Sequence, residues 1–131
     1  MSKEFKHQIK VYYEDTDMGG VVYYANYLKF LERARTEALK LIGLSNKLLL
    51  DNHDALIIVK SCKIDYKKSA KLEDELLILS KVKSSTKTSF IMIQVITLEE
   101  KIISEAEVHL VVVDREGKPK KIPNVLEKLL N

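Results

Sequence analysis

A single change of period constrains this chain most. Residues 5–13 alternate, with Phe5, Ile9, Val11 and Tyr13 on one parity and Lys6, Gln8 and Lys10 on the other. That is the period of a half-buried strand. Between Asn26 and Ile42 the apolar residues step by four and three instead, through Tyr27, Leu31, Ala34, Ala38 and Leu41. This marks one face of a helix. Lys29, Arg33, Thr36, Glu37 and Lys40 fall mainly on other faces, and Gly43 is a natural stop. At 1.5 Å per residue such a helix spans roughly 25 Å, enough to be the central rod of a small domain.

Alternation then returns for the rest of the chain. Ser45 is placed to cap a short second helix. Residues 56–66 begin apolar and then alternate, with Cys62, Ile64 and Tyr66 opposite Ser61, Lys63 and Asp65. A charged connection, Lys67 to Glu75, leads to strands Leu76–Lys83 and Thr88–Leu98, joined by a hairpin at residues 84–87. Phe90 to Ile96 is apolar on both parities, which predicts a strand covered on both faces, the second cover coming from another subunit. A turn near Glu99-Glu100-Lys101 precedes a last strand over residues 102–113, with Ala106, Val108, Leu110 and Val112 on its core face. Pro123 opens a final helical turn through Leu130. One long helix and one mostly antiparallel sheet make an α+β chain with the helix on a sheet face. Its 131 residues suit a single domain over 1–131.

Composition removes several classes of function. A net charge of +3, from 22 basic and 19 acidic residues, is too mild to argue for nucleic acid. It allows a small anionic ligand held by a local cluster. Cys62 is the only cysteine, so no disulfide framework exists, and a reducing compartment fits. His7, His53 and His109 lie far apart without ligand spacing, and no metal site or cofactor is expected. The start, Met1 to His7, has no apolar core of a signal peptide, and no run is apolar enough to span a membrane. The expected location is cytoplasmic. Cys62 reads as a small buried apolar group and His109 as a strand residue.

Chemistry concentrates in one stretch, Tyr12 to Tyr27. Glu14, Asp15 and Asp17 precede Gly19-Gly20, and the glycines precede the helix start. Helix N-termini carry unpaired N–H groups and positive potential. A carboxylate beside such amides suits acyl transfer: the amides hold a developing oxyanion, and the carboxylate attacks or activates water. The same residues also suit an ordinary cap and turn.

The stretch resembles the 4-hydroxybenzoyl-CoA thioesterase superfamily, and within it the bacterial acyl-CoA thioesterases associated with the Tol-Pal system. The matching run is Val11-Tyr12-Tyr13-Glu14-Asp15-Thr16-Asp17, Gly20-Val21-Val22-Tyr23, Ala25-Asn26-Tyr27-Leu28 and Leu31-Glu32-Arg33-Ala34-Arg35. Asp65-Tyr66 through Ala70 with Asp74-Glu75-Leu76, and Val113-Asp114, Gly117-Lys118-Pro119 and Ile122-Pro123, match further along. The resemblance implies a hot-dog fold, an antiparallel sheet wrapped around one long central helix. It implies homodimers or homotetramers with active sites at subunit interfaces, and metal-free hydrolysis of an acyl-CoA thioester without a separate cofactor.

By that pattern Asp17 is the nucleophile or general base, and the backbone amides of Tyr23 and Tyr24 polarise the thioester carbonyl. Tyr13 matches a functional tyrosine that orients Asp17 or substrate; as plain sequence it is also a core-facing strand residue. Gly20 and Val21 fall at the substrate. Lys67, Lys68 and Lys71, or Lys118, Lys120 and Lys121, would meet the phosphates of coenzyme A; the alternative is solvated charge. Glu32 and Arg33 suit helix-surface ion pairs, while their place in the family motif implies interface packing. The branch usually carries histidine where this chain has Tyr24. A backbone donor survives that change, whereas an imidazole proton shuttle does not, since tyrosine titrates near 10 rather than 6.5. Ser69 stands where proline is common. The competing readings are a non-catalytic module that binds acyl thioesters or acyl carrier protein, and a hot-dog dehydratase, which would need a histidine near Asp17.

Overall fold

The computed structural model describes residues 3–131; Met1 and Ser2, part of the stretch read for a signal peptide, lie outside the described residues. The chain forms β1 (Glu4–Lys10), a 3-10 turn (Tyr13–Asp15), α1 (Asn26–Leu41), α2 (Asn46–His53), β2 (Leu56–Tyr66), β3 (Glu75–Ser85), β4 (Ser89–Leu98), β5 (Lys101–Val113), a second 3-10 turn (Asn124–Leu126) and α3 (Glu127–Leu130). The five strands make one antiparallel sheet in the order β1-β3-β4-β5-β2. It curves around α1, giving the hot-dog fold expected from the resemblance.

The register explains the core. Phe5 pairs with Ser80, Ser80 with Gln94, Gln94 with Ala106 and Ala106 with Ile64, so one row crosses all five strands beneath the helix. The neighbouring row runs Val82, Met92, Val108 and Cys62. Phe30, Leu31, Ala34, Ala38 and Leu39 of α1 are buried against this face. Alanines at 34 and 38 let the helix sit close to the sheet, while Phe30 and Leu31 each contribute about 1.5–3 kcal/mol by burial. Leu41, expected on the core stripe, is 64% exposed and Leu39 is 3% exposed. At 3.6 residues per turn a step of three falls about 60° short of a full turn, and at the end of the helix the core lies on the Leu39 side and not the Leu41 side.

Three further expectations are corrected. The first strand ends at Lys10 instead of reaching Tyr13, because Val11 turns away to exchange backbone hydrogen bonds with Glu73 and Asp74. Tyr13 is therefore 83% exposed and not a core-facing strand residue. Cys62 points to the helix side but is exposed, since β2 is an edge strand with no neighbour beyond it. β2 also bulges at Lys60 between Val59 and Ser61, which switches the inward parity from Ile57 and Val59 to Cys62 and Ile64.

β4 matches the strand apolar on both parities: Phe90, Met92 and Ile96 are buried against α1, while Ile91, Ile93 and Val95 are half-buried on the outer face. Gln94, read with the apolar run, is fully buried on the helix side. Its amide nitrogen donates to the Leu31 carbonyl at 3.1 Å and Ser80 Oγ at 2.9 Å, and its oxygen accepts from Arg35 at 3.0 Å. Burial lowers the Arg35 pKa from its ordinary value, opposed by the nearby Glu32 carboxylate. The hairpin turn before β5 holds Glu99 and Glu100 at positive φ.

Candidate active site

The loop before α1 brings its three carboxylates to different ends. Asp15 is buried, accepts the Tyr12 amide on Oδ2 at 2.9 Å, and offers its carbonyl to the Tyr23 amide at 3.0 Å and Asn26 Nδ2 at 2.9 Å. It holds the loop to the helix start. Glu14 is exposed and has no hydrogen-bond partner among the described residues. Asp17 is exposed too, but is oriented: Oδ1 accepts the Gly19 amide at 2.8 Å, leaving Oδ2 without a partner among the described residues.

The two glycines make this geometry possible for different reasons. A Cβ on Gly19 would meet Asp17 Oδ1 at 3.2 Å, tighter than side chains normally tolerate. Gly20 sits at φ +79, a left-handed conformation open to glycine at little cost. The turn closes with the Gly20 amide on the Asp17 carbonyl at 3.0 Å and the Asp17 amide on the Val21 carbonyl at 2.9 Å.

Val21 and Val22 then pin the loop to the connection after β2. Val21 bridges to Lys71, and the Val22 amide donates to the Ala70 carbonyl at 2.8 Å. Lys71 is thereby placed beside the Asp17 turn, with Lys67 and Lys68 one short segment away; all three side chains are exposed. Lys120 is differently occupied. Its Nζ donates to the His53 carbonyl at 2.6 Å and the Asp54 carbonyl at 3.1 Å, capping α2, so the cluster of Lys118, Lys120 and Lys121 is in part structural.

At the helix start the two expected amide donors differ. The Tyr23 N–H is already bonded to Asp15, which takes it out of the expected oxyanion pair. The Tyr24 N–H has no acceptor among the described residues and stays available one residue before the N-cap, Ala25. The Tyr24 ring packs against Tyr23 and, edge-on at 6.2 Å, against Tyr66. Sequence reasoning placed Tyr66 on a strand and in the second matching run, without a role at the site. Its hydroxyl donates to the Tyr24 carbonyl at 3.2 Å, and burial raises its pKa, so the phenol keeps the proton that bond needs. Tyr27, in the first turn of α1, plays the opposite part: its hydroxyl accepts the Ala70 amide at 3.0 Å, and burial raises its pKa. Tyr13 makes no side-chain bond to Asp17. Among the described residues no group of three or more His, Cys, Asp or Glu is arranged to hold a metal ion.

The arrangement thus offers a carboxylate with one free oxygen, a free amide at a helix start and exposed lysines alongside. The model of the thioesterase-like superfamily matches residues 11–130 of the chain. The acyl-CoA thioester hydrolase YbgC of Escherichia coli O6:H1 is 40% identical over 121 residues, 91% of this chain and 90% of that protein. The acyl-CoA thioesterase YbgC of Haemophilus influenzae is 39% identical over 110 residues, covering 84% and 81%. Among solved structures, a probable thioesterase from Bartonella henselae superposes with a TM-score of 0.89 at 32% identity, covering 92% of this chain and 100% of that one.

Proposed function

The chain belongs to the thioesterase-like superfamily, and from that membership we propose that Asp17 and the Tyr24 amide carry out hydrolysis of an acyl-CoA thioester to a carboxylic acid and coenzyme A. The observation that carries the site is the free Oδ2 of Asp17 in a turn pinned to a helix start with an unpaired amide. The thioester carbonyl oxygen seats on the Tyr24 N–H, where the helix end favours developing negative charge. Asp17 then either attacks the carbonyl carbon or takes a proton from the water that does. In both routes the C–S bond breaks, coenzyme A leaves as thiol, and water supplies the acid's second oxygen. No histidine is required, which suits Tyr24 as a backbone donor.

Lys67, Lys68 and Lys71 meet the phosphates of coenzyme A on the side where Val21 bridges to the strand connection, next to Gly20. Tyr13, exposed above the turn, orients the substrate. Two copies pair through the β2 edges: Ile58 and Val59 are 47% and 49% exposed on a strand with one row of unpaired backbone groups. Antiparallel pairing about the strand centre lays the Tyr66 end of each β2 against the Leu56 end of the other, so each helix start lies at the interface. The half-buried outer face of β4 leaves room for dimers to associate further. No helix of the described residues is long and apolar enough to cross a membrane, and we place the enzyme in the cytoplasm, where its single thiol stays reduced.

Thiol release from a graded acyl-CoA panel tests the assignment. Asp17→Asn should lower turnover by roughly 10²–10⁴-fold without moving the melting temperature. Undiminished turnover in that variant removes Asp17 from the mechanism. No turnover by the wild type on short, long or aromatic thioesters overturns the enzyme reading in favour of an acyl-thioester or acyl-carrier-protein binding module.

A further inference from the structure

The start of α1 is weakly held by its own helix. Its N-cap, Ala25, has no side chain able to accept a hydrogen bond. The first turn closes with long bonds, from the Tyr27 amide to the Tyr24 carbonyl at 3.3 Å and from the Leu28 amide to the Ala25 carbonyl at 3.2 Å. The Tyr24 carbonyl has a second donor from outside the helix, the Tyr66 hydroxyl at 3.2 Å. Tyr66 is itself fixed to the sheet. It is the last residue of β2 and pairs with Ser104 of β5, and the Lys67 and Lys68 amides that follow both donate to the Ile103 carbonyl, at 2.8 and 3.1 Å. Its ring packs on Tyr27, with centroids 5.3 Å apart, and on Tyr24 at 6.2 Å.

We infer that Tyr66 is a positioning residue for the reaction: by holding the Tyr24 carbonyl, its hydroxyl aims the Tyr24 N–H at the thioester oxygen. The inference rests on the thioesterase reading above and adds the group that orders its oxyanion donor. Two peptide groups meet at the Tyr24 Cα. The first carries the Tyr24 N–H and is held through the Tyr23 carbonyl, which accepts the Asn26 amide at 2.9 Å. The second carries the Tyr24 carbonyl and is held by Tyr66. With both fixed, the free N–H has one direction. With the second loosened, it swings about the Tyr24 backbone torsions, and a donor that must reorient as charge develops stabilises that charge less. Burial raises the Tyr66 pKa, so the phenol keeps its proton and remains a donor at neutral pH.

Tyr66→Phe in the full-length protein removes the hydroxyl and keeps the ring between Tyr24 and Tyr27. Its kcat for thiol release should fall about tenfold while KM stays within about twofold, because a bond to the carbonyl oxygen strengthens most in the transition state. The melting temperature should stay near that of the wild type. A second measurement does not depend on turnover. Infrared difference spectra of hexanoyl-CoA labelled with carbon-13 at the thioester carbonyl, bound to the Asp17→Asn protein, report the hydrogen bond to that oxygen. Adding Tyr66→Phe should move the carbonyl band to higher frequency, since a poorly aimed donor polarises it less. Adding Tyr27→Phe instead, which deletes a hydroxyl of the same cluster that reaches Ala70, should leave the band in place. An unchanged kcat with an unmoved band overturns the inference and leaves the thioesterase reading standing. Equal band shifts in the two variants also overturn it, because a general loosening of the cluster then explains both. A band moved by Tyr66→Phe alone, in a protein that releases no thiol from any thioester, upholds the positioning and overturns the thioesterase reading.

Discussion

The carboxylate of Asp15 is tied to the Tyr12 amide at 2.9 Å, while that of Asp17 keeps one oxygen without a partner among the described residues. The side chains are identical and two residues apart in sequence, so burial and hydrogen bonding separate the structural role of Asp15 from the chemical one proposed for Asp17. Gly19 holds the difference in place: its amide orients Asp17 Oδ1, and its lack of a side chain admits that oxygen. Gly19→Ala would put a methyl group 3.2 Å from Oδ1 and displace it by a few tenths of an ångström. The turnover number should drop about tenfold to a hundredfold, since misplacing a reacting group by about 1 Å can cost 10²-fold. The melting temperature should stay near that of the wild type because the turn is exposed. Turnover unchanged in Gly19→Ala would mean that this bond does not position the reacting oxygen.

At the scale of elements, α1 and β4 are joined by more than apolar packing. Gln94 uses both amide hydrogens and its oxygen to link the Leu31 carbonyl, Ser80 and Arg35 across the core. Each partner is buried or half-buried, so losing the amide strands several groups at once. Gln94→Met keeps the volume and removes the bonds, and should destabilise the fold by about 1–3 kcal/mol or more in urea unfolding. The double variant Gln94→Met/Arg35→Met should recover part of that loss, because the guanidinium would no longer be left unsatisfied. A single variant as stable as wild type would show that water satisfies these groups equally well.

For the molecule as a whole, the β2 edge is the surface least explained by the protomer. Eleven residues long, with apolar residues exposed along it, it lacks the short length that usually protects an edge. Sedimentation should show a species of twice the 15.1 kDa chain or larger. Ile58→Lys, which leaves the pairing of β2 with β5 intact, should shift it toward the monomer and lower thiol release in parallel. A wild-type monomer with full activity would refute sites shared between subunits.

The periods of two and of 3.6 determined by themselves where strands and the long helix lie, because each is a local property of side-chain direction. The run from Val11 to Arg35 likewise marked the family and singled out the loop in which we propose that Asp17 acts. The chain order could not show that Asp15 would consume the Tyr23 amide, that Tyr66 would reach the Tyr24 carbonyl, or that Cys62 would end on an open edge. Nor could it reveal that Gln94, polar within an apolar strand, would find three partners 14 to 63 residues away. Those outcomes depend on contacts made only when the sheet closes on the helix. Periodicity fixes which way a side chain faces, whereas its hydrogen bonds and burial are decided by residues distant in sequence that the tertiary fold brings alongside.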